Sequence, residues 1–331
     1  MFPTSTGIHV VSAFFALSCV IASPFVVPRA DNDGIHLAVS PNCGPLGGNT
    51  ADVNAGIDLS KIKAIVSFGD SYTDGGKHDG SPLDPPVLIP PSAFAGGRST
   101  DGPVWIEYIA DDIGAKFMDY AASTLHRAVV NISLWPDNPL PRDFLQQMSI
   151  FLGQNNNLDS HSTLYTIFFG INDWLDSFID GDHLPEAAQD LLDQIAILSN
   201  PPTNGRNFLI TDDYGRGNSS ATGDAWKQQI FDGISAFHSN NSVGGANVSA
   251  PLNVAFGDFA TIWDGVLGPD PGYEAFGYTS TGYCVFDGST TDDLCPDPKH
   301  TFYWFDGHPS NETHRIMADY VEEVLSNCVV S

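Results

Sequence analysis

From residue 64 onward, short apolar runs alternate with segments of helical periodicity, and this alternation leaves few folds open. The runs are Ala64–Gly69, 116–123, 163–169, 207–211 and 252–256. Most carry apolar residues on both faces and are too short for a buried helix, as expected of strands covered on both sides. Between the first two, Trp105, Ile106, Ile109, Ala110 and Ile113 recur at helical spacing before Gly114 stops the pattern. Pro141 is expected to open a helix carrying Phe144, Leu145, Met148 and Phe151. Pro185 starts another, with Ala188, Leu191, Leu192, Ile195 and Leu198 on one face. Ile230, Ile234 and Phe237 mark the inner face of a helix over 226–237, and 259–267 reads as a short helix. Ser310 would cap a last helix with Ile316, Met317, Tyr320, Val321, Val324 and Leu325 turned inward. Strands alternating with helices form a parallel sheet with helices on both faces. The expected fold is therefore α/β, a three-layer α/β/α sandwich of flavodoxin-like type around a mostly parallel five-stranded sheet. No internal repeat is present.

The remainder of the chain sets the context of that domain. An apolar stretch from Val10 to Ala22 ends in small residues, with Val20 and Ala22 at the −3 and −1 positions. It reads as a secretory signal peptide over 1–22, too short for a membrane anchor. Residues 23–60 are poorly patterned and read as a lead-in in which a pro-segment could end near Arg29, so the domain proper is placed at 61–331. Cys19 leaves with the signal, and four cysteines remain. In a secreted protein these form two disulfides. Cys284 with Cys295 is the natural local pair, and Cys43 with Cys328 would then join the two ends. Pairings of Cys43 with Cys284 or Cys295 stay open. Asn-x-Ser/Thr sequons stand at Asn131, Asn218, Asn240, Asn247 and Asn311. Forty acidic residues against 13 basic ones give a net charge of −27, which argues against nucleic acid or an anionic membrane surface as partner. No His/Cys ligand cluster or His-Glu-x-x-His helix occurs, so neither a metal nor another cofactor is expected.

Chemistry collects where strands end. The run 64–69 closes in Gly69-Asp70-Ser71, placing a serine hydroxyl in the turn after a buried strand. That is the edge of an open α/β sheet where sites gather. The third run ends in Gly170-Ile171-Asn172-Asp173, at the same edge if the sheet is parallel. An asparagine amide there can donate to a developing oxyanion, a role worth roughly 3–4 kcal/mol in acyl transfer. Near the end of the chain, Asp306-Gly307-His308-Pro309 precedes the capped helix, where His308 could act as general base toward Ser71. His314 is a second candidate, expected to face solvent. His78, His161, His183, His238 and His300 read as surface residues.

Together these pieces resemble the SGNH, or GDSL-type, serine hydrolases. Gly69-Asp70-Ser71-Tyr72-Thr73-Asp74-Gly75 matches the first block of that family, Gly170-Ile171-Asn172-Asp173 the third, and Asp306-Gly307-His308-Pro309-Ser310 the fifth. The segment Gly97 to Tyr108 is similar to the stretch that precedes the second block. Within the family the chain looks most like the secreted fungal carbohydrate acetylesterases of carbohydrate esterase family sixteen. The resemblance implies a Ser–His–Asp acyl-enzyme mechanism without a metal: Ser71 as nucleophile, His308 as base, Asp306 as its orienting acid. The oxyanion would be held by the backbone N–H of Ser71, a block-two N–H and Asn172, with Gly69, Asp70 and Gly170 in supporting places. Two departures stand out. Block two lacks the family's glycine, whose place Thr124 takes, or Ser123 in another alignment. A β-branched residue resists φ > 0, so the loop must differ if that is what glycine provides. Block five is one residue shorter than the usual Asp-x-x-His, so either the Asp306 carboxylate or a main-chain carbonyl could orient His308.

The expected function is a secreted esterase acting on short acyl esters, acetyl groups of plant cell-wall carbohydrates foremost, as a monomer without stable membrane insertion. Two alternatives are a lipase or esterase for longer acyl chains, and a carbohydrate-binding glycoprotein that keeps the fold without catalysis. Trp135 and Trp174 are candidates for stacking on sugar, whereas Trp105 reads as core.

Overall fold

The computed structural model describes residues 34–123, 127–138, 142–286, 288 and 290–330. The signal peptide, Cys19, Arg29, Thr124 and Pro141 lie outside the described residues. Nine strands and seven helices occur among those described. In chain order they are β1 (Val53–Ala55), β2 (Ala64–Gly69), α1 (Trp105–Ile113), β3 (Lys116–Asp119), α2 (Phe144–Gly153), β4 (Thr163–Phe168), α3 (Ile171–Asp180), α4 (Leu184–Ser199), β5 (Asn207–Asp212), α5 (Ala221–His238), β6 (Asn253–Asp258), α6 (Ala260–Leu267), β7 (Ser280–Tyr283), β8 (Thr301–Phe305), β9 (His308–Pro309) and α7 (Asn311–Asn327).

The central sheet has the strand order β1-β6-β5-β4-β2-β3. Its strands β3, β2, β4, β5 and β6 are parallel and follow the 2-1-3-4-5 order of the flavodoxin-like sandwich. It is six-stranded rather than five-stranded. The added strand, β1, pairs antiparallel with β6 through Val53–Phe256 and Ala55–Val254. It comes from the segment read as a lead-in, so the folded core extends upstream of residue 61. Three residues are too few to show a period of two, which is why sequence pattern did not mark it.

Alternation along the strands separates two apolar layers. Val66, Phe68, Tyr165, Ile167, Phe208 and Ile210 pack with α2, α4 and α5. Ile65, Leu164, Leu209 and Ala255 pack on the other side with α1, α6 and α7. Two disulfides, Cys43–Cys328 and Cys284–Cys295, complete the framework. The first ties the β1 edge to the end of α7, and Asn54 reinforces it by donating from its side chain to the Leu325 carbonyl at 2.7 Å. A satellite sheet, β7-β8-β9, rests over a small apolar cluster of Ala93, Val285, Trp304 and Phe305. No helix among the described residues is long and apolar enough to cross a membrane.

Of the sequon asparagines, Asn218, Asn240 and Asn247 are exposed and Asn131 and Asn311 half-buried. The Asn131 amide donates to Asp190 at 2.7 Å, and Asn311 accepts from the Tyr108 hydroxyl.

Candidate active site

In the parallel register Gly69 of β2 lies opposite Phe168 of β4. The two strands therefore release Ser71 and Asn172 at one edge, where the strand order reverses. After β2 the chain makes a single tight turn, in which the Thr73 and Asp74 N–H groups donate to the Asp70 carbonyl at 3.1 Å. Gly69 is needed because a Cβ there would crowd Thr73 and the Phe168 carbonyl. A buried glutamine on α2 grips the same residue: Gln147 accepts from the Gly69 N–H at 3.0 Å and donates to its carbonyl at 2.9 Å. Sequence reading missed Gln147. The available signal was a polar residue at a helix position that shares its face with Phe144, Met148 and Phe151.

His308 arrives from the satellite sheet. Asp306 and Gly307 are the two turn residues between β8 and β9, and Phe305 pairs with His308 across them. The Asp-Gly sequence suits such a two-residue hairpin, and Gly307 has φ 67°. This places His308 Nε2 3.0 Å from the Ser71 Oγ and His308 Nδ1 3.2 Å from the Asp306 carbonyl oxygen. A carbonyl only accepts, so the neutral ring carries its proton on Nδ1. The Nε2 lone pair is then free to accept the Ser71 hydroxyl proton, the tautomer that a general base requires. Burial, with the Arg216 charge adding to it, pushes the His308 pKa down to about 4.

The expected carboxylate contact is absent. Asp306 is exposed and its side chain makes no hydrogen bond to the ring. The physical reason is the hairpin: a turn residue turns its side chain outward while its carbonyl remains on the His308 side. Of the two arrangements open at the sequence level, the structure holds the main-chain one.

On the other side of Ser71, Asn172 lies in the first turn of α3, whose N-cap is Gly170. One Asn172 amide hydrogen goes to the Ala128 carbonyl at 2.8 Å. An amide has two, so the second can reach a ligand. The Ser71 backbone N–H makes no hydrogen bond to the described residues and is a further donor. Ser123 is described and half-buried, with its hydroxyl 3.3 Å from that of Ser99. Asp70 and Asp173 are buried beneath this edge. Asp70 accepts from the Tyr72 N–H, and Asp173 from Val130 N–H and Trp135 Nε1. Burial pushes each carboxyl up to about 7.

The family described as GDSL-like Lipase/Acylhydrolase matches residues 65–321. The chain belongs to this family. It is thus a carboxylic ester hydrolase of the GDSL type. No curated protein matches the sequence. Among solved structures it is similar to a carbohydrate esterase family 2 enzyme with a carbohydrate binding domain from Corynascus thermopiles (Myceliophthora fergusii), at 14% identity and TM-score 0.45 over 80% of this chain and 66% of that one. The chain thus spans just under two thirds of that protein. It is also similar to the acetyl xylan esterase AlAXEase, at 12% identity and TM-score 0.39 over 79% of this chain and 99% of that one. A variant acetyl xylan esterase from Geobacillus stearothermophilus gives 16% identity and TM-score 0.39 over 82% and 99%.

Two further expectations are corrected within this GDSL site. His314 is buried rather than facing solvent, because the fourth residue of α7 lies against α1. There its Nδ1 accepts the Trp105 N–H at 3.3 Å. Trp135 is fully buried over Asp173, so it offers no face to sugar. Trp174 is half-buried and meets Phe178 edge-on at 4.9 Å, with Phe178 itself 68% exposed. Trp105 is core, as read.

Proposed function

We propose that the protein is a secreted serine esterase that removes short acyl groups, chiefly acetyl, from plant cell-wall carbohydrates. The observation that carries the chemistry is the Ser71–His308 contact of 3.0 Å, with His308 Nδ1 3.2 Å from the Asp306 carbonyl that accepts from it. In the reaction Ser71 gives its proton to His308 Nε2 and its Oγ attacks the ester carbonyl carbon. The Ser71 N–H and the second Asn172 amide hydrogen receive the oxyanion. His308 then passes the proton to the departing sugar oxygen, leaving an acyl-enzyme. Water, deprotonated by the same ring, releases the acid. Catalysis in this scheme runs on Ser71 and His308 with the Asp306 main chain as orienting group.

Two disulfides and three exposed sequons agree with an oxidising, extracellular setting. The low His308 pKa keeps the base neutral in the mildly acidic media that the strongly acidic composition suits. The choice of acetylated carbohydrate, and the particular likeness to carbohydrate esterase family sixteen, rests on the sequence resemblance. A second reading is longer acyl chains on the same chemistry, for which Ile89 and Phe286, 74% and 73% accessible on the Pro-rich and disulfide loops, are the exposed apolar side chains to call on. Hydrolysis rates over a series of p-nitrophenyl esters from acetate to palmitate, alongside acetylated xylan, separate the two. A maximum at acetate with acetic acid released from xylan supports the proposal, and a maximum at long chains replaces it with the second. Turnover that survives Ser71→Ala removes the nucleophile assignment from both.

A further inference from the structure

The short fifth block leaves a mechanical question: a carbonyl in an exposed two-residue turn is a mobile acceptor for a catalytic histidine. The next carbonyl along answers it. The Gly307 oxygen accepts two side-chain donors, the Tyr72 hydroxyl at 2.6 Å and Arg216 Nη1 at 3.0 Å. Both donors are anchored elsewhere. Tyr72 immediately follows Ser71, is 1% exposed, stacks on Trp263 and meets Phe168 edge-on. Arg216 sits in the turn after β5, where its N–H donates to the Asp213 carbonyl at 3.2 Å. Its backbone is in the left-handed region at φ 47°, rarely adopted by a long L-residue. The turn residue is matched to this arrangement, since a Cβ added at Gly307 would overlap the Arg216 guanidinium.

We infer that Arg216 and Tyr72 are positioning residues that clamp the Gly307 carbonyl, and so fix the turn that presents both His308 and its Nδ1 acceptor. This inference rests on the reading of Ser71 and His308 as the catalytic pair. The clamp joins the two halves of the site physically, because Tyr72 belongs to the serine turn and grips the histidine turn. Arg216 adds a second effect that Tyr72 lacks. Its fixed positive charge disfavours the imidazolium, which holds the ring neutral further into acid. The charged and titratable groups around His308 are few. Asp306 in its own turn opposes Arg216, favouring the protonated ring. From α7 comes His314, whose own pKa burial lowers to about 3, so it is uncharged wherever His308 acts as base. From the β2 turn comes the Tyr72 phenol, held neutral by burial. Behind Arg216 stand Asp213, buried with neither carboxylate oxygen bonded among the described residues, and Tyr303.

The test compares Arg216→Met, Arg216→Lys and Tyr72→Phe with the wild type on p-nitrophenyl acetate, measuring kcat and KM separately and kcat/KM against pH. Wild-type Ser71 is first titrated with a fluorophosphonate. If it is neither labelled nor active, the reading beneath fails and this inference falls with it. With wild type active, Arg216→Met is expected to lower kcat about 10- to 100-fold with KM within about twofold. It should also move the acid limb up by about half to one pH unit. Arg216→Lys keeps the charge without the planar fork, so the limb stays at the wild-type pH while kcat remains reduced. Tyr72→Phe, which removes one neutral donor, is expected to lower kcat about 3- to 10-fold with the limb unmoved. Wild-type kcat in both Arg216→Met and Tyr72→Phe overturns the clamp. Loss of kcat in Arg216→Met without movement of the limb reduces Arg216 to a structural role and also overturns it. Should Arg216→Met fail to fold, Arg216→Lys and Tyr72→Phe decide: reduced kcat supports the clamp, unchanged kcat in both ends it.

Discussion

Ser71 and His308 meet at one hydrogen bond, yet the structures that hold them differ in kind. Ser71 leaves a strand at the centre of the sheet, packed between two apolar layers and gripped by Gln147. His308 leaves a two-residue hairpin on a satellite sheet, over a small apolar cluster and beside the exposed Asp306. Core packing fixes the first, and polar contacts to one carbonyl fix the second. In such a site the serine half tolerates little and the histidine half can be tuned. This is where block five departs from the usual spacing.

The largest effect comes from breaking the contact itself. Ser71→Ala or His308→Ala is expected to lower kcat at least about 10⁴-fold, because the two act as a unit. Neither is expected to move the melting temperature by more than a degree or two, since both residues are only half-buried. Steady-state rates and a thermal melt check this. Activity within tenfold of wild type in either variant dissolves the comparison altogether.

Gln147→Leu attacks the serine half alone. It strips the Gly69 N–H of the Gln147 acceptor, and a buried unsatisfied donor costs about 1–3 kcal/mol. Stability and kcat should fall together, measured by denaturant unfolding and by rate. A change that loosens the histidine turn, such as Tyr72→Phe, which removes a donor to the Gly307 carbonyl, should lower kcat more than its effect on stability would suggest. Equal ratios for the two variants would mean that the serine and histidine halves are held in the same way.

The carboxyls around the serine edge give a pH dependence of stability. Asp70, Asp173 and Asp212 are pushed up to about 7 and Asp52 to about 6, all by burial. Each ionises more readily in the unfolded chain, near 3.8, than in the folded one. Their stabilising effect is complete below about pH 4 and is lost as pH rises through 6 to 7. His308 and His314, lowered to about 4 and 3, work oppositely: their effect is complete above about 6.5 and is lost as pH falls through 4 to 3. Four carboxyls outweigh two imidazoles between pH 4 and 7. The melting temperature at pH 5 is therefore expected to exceed that at pH 8, and a scan showing the reverse contradicts this balance.

The same contrast explains what the sequence made legible. Strands β2 and β4, with the serine and asparagine beyond their ends, could be read because a doubly covered strand is apolar on both faces along most of its length. The parallel order then placed Ser71 and Asn172 at one edge. Helix α3 could not be read, since Asp173 and Asp176 are buried polar residues that interrupt its apolar face. Strands β7 to β9 show no alternation to read: β8 is buried on both faces, β7 is exposed or half-buried throughout, and β9 has two residues. The family resemblance implies Asp306 as the orienting acid, and the short fifth block leaves its carboxylate and a main-chain carbonyl both open. The order of residue types carries no information on which way a turn residue points its side chain. Arg216 had no signal at all: a charged residue in a Gly-rich turn reads as solvated surface until the turn is folded back on Gly307.

The smallest effect is the most discriminating for the histidine half. Where a carboxylate orients the ring, replacing it by an amide costs about 10⁴ in kcat, because the wrong tautomer is favoured. In this site His308 Nδ1–H donates to the Asp306 main-chain carbonyl, which Asp306→Asn leaves in place. The variant is therefore expected to retain kcat within about threefold. The removed negative charge was favouring the imidazolium, so the acid limb should move slightly lower, opposite in sign to Arg216→Met. Measuring kcat/KM from pH 3.5 to 8 for Asp306→Asn checks both points at once. A loss of several thousandfold would mean that the carboxylate swings onto the ring during turnover and that the hairpin holds His308 far less firmly than the core holds Ser71.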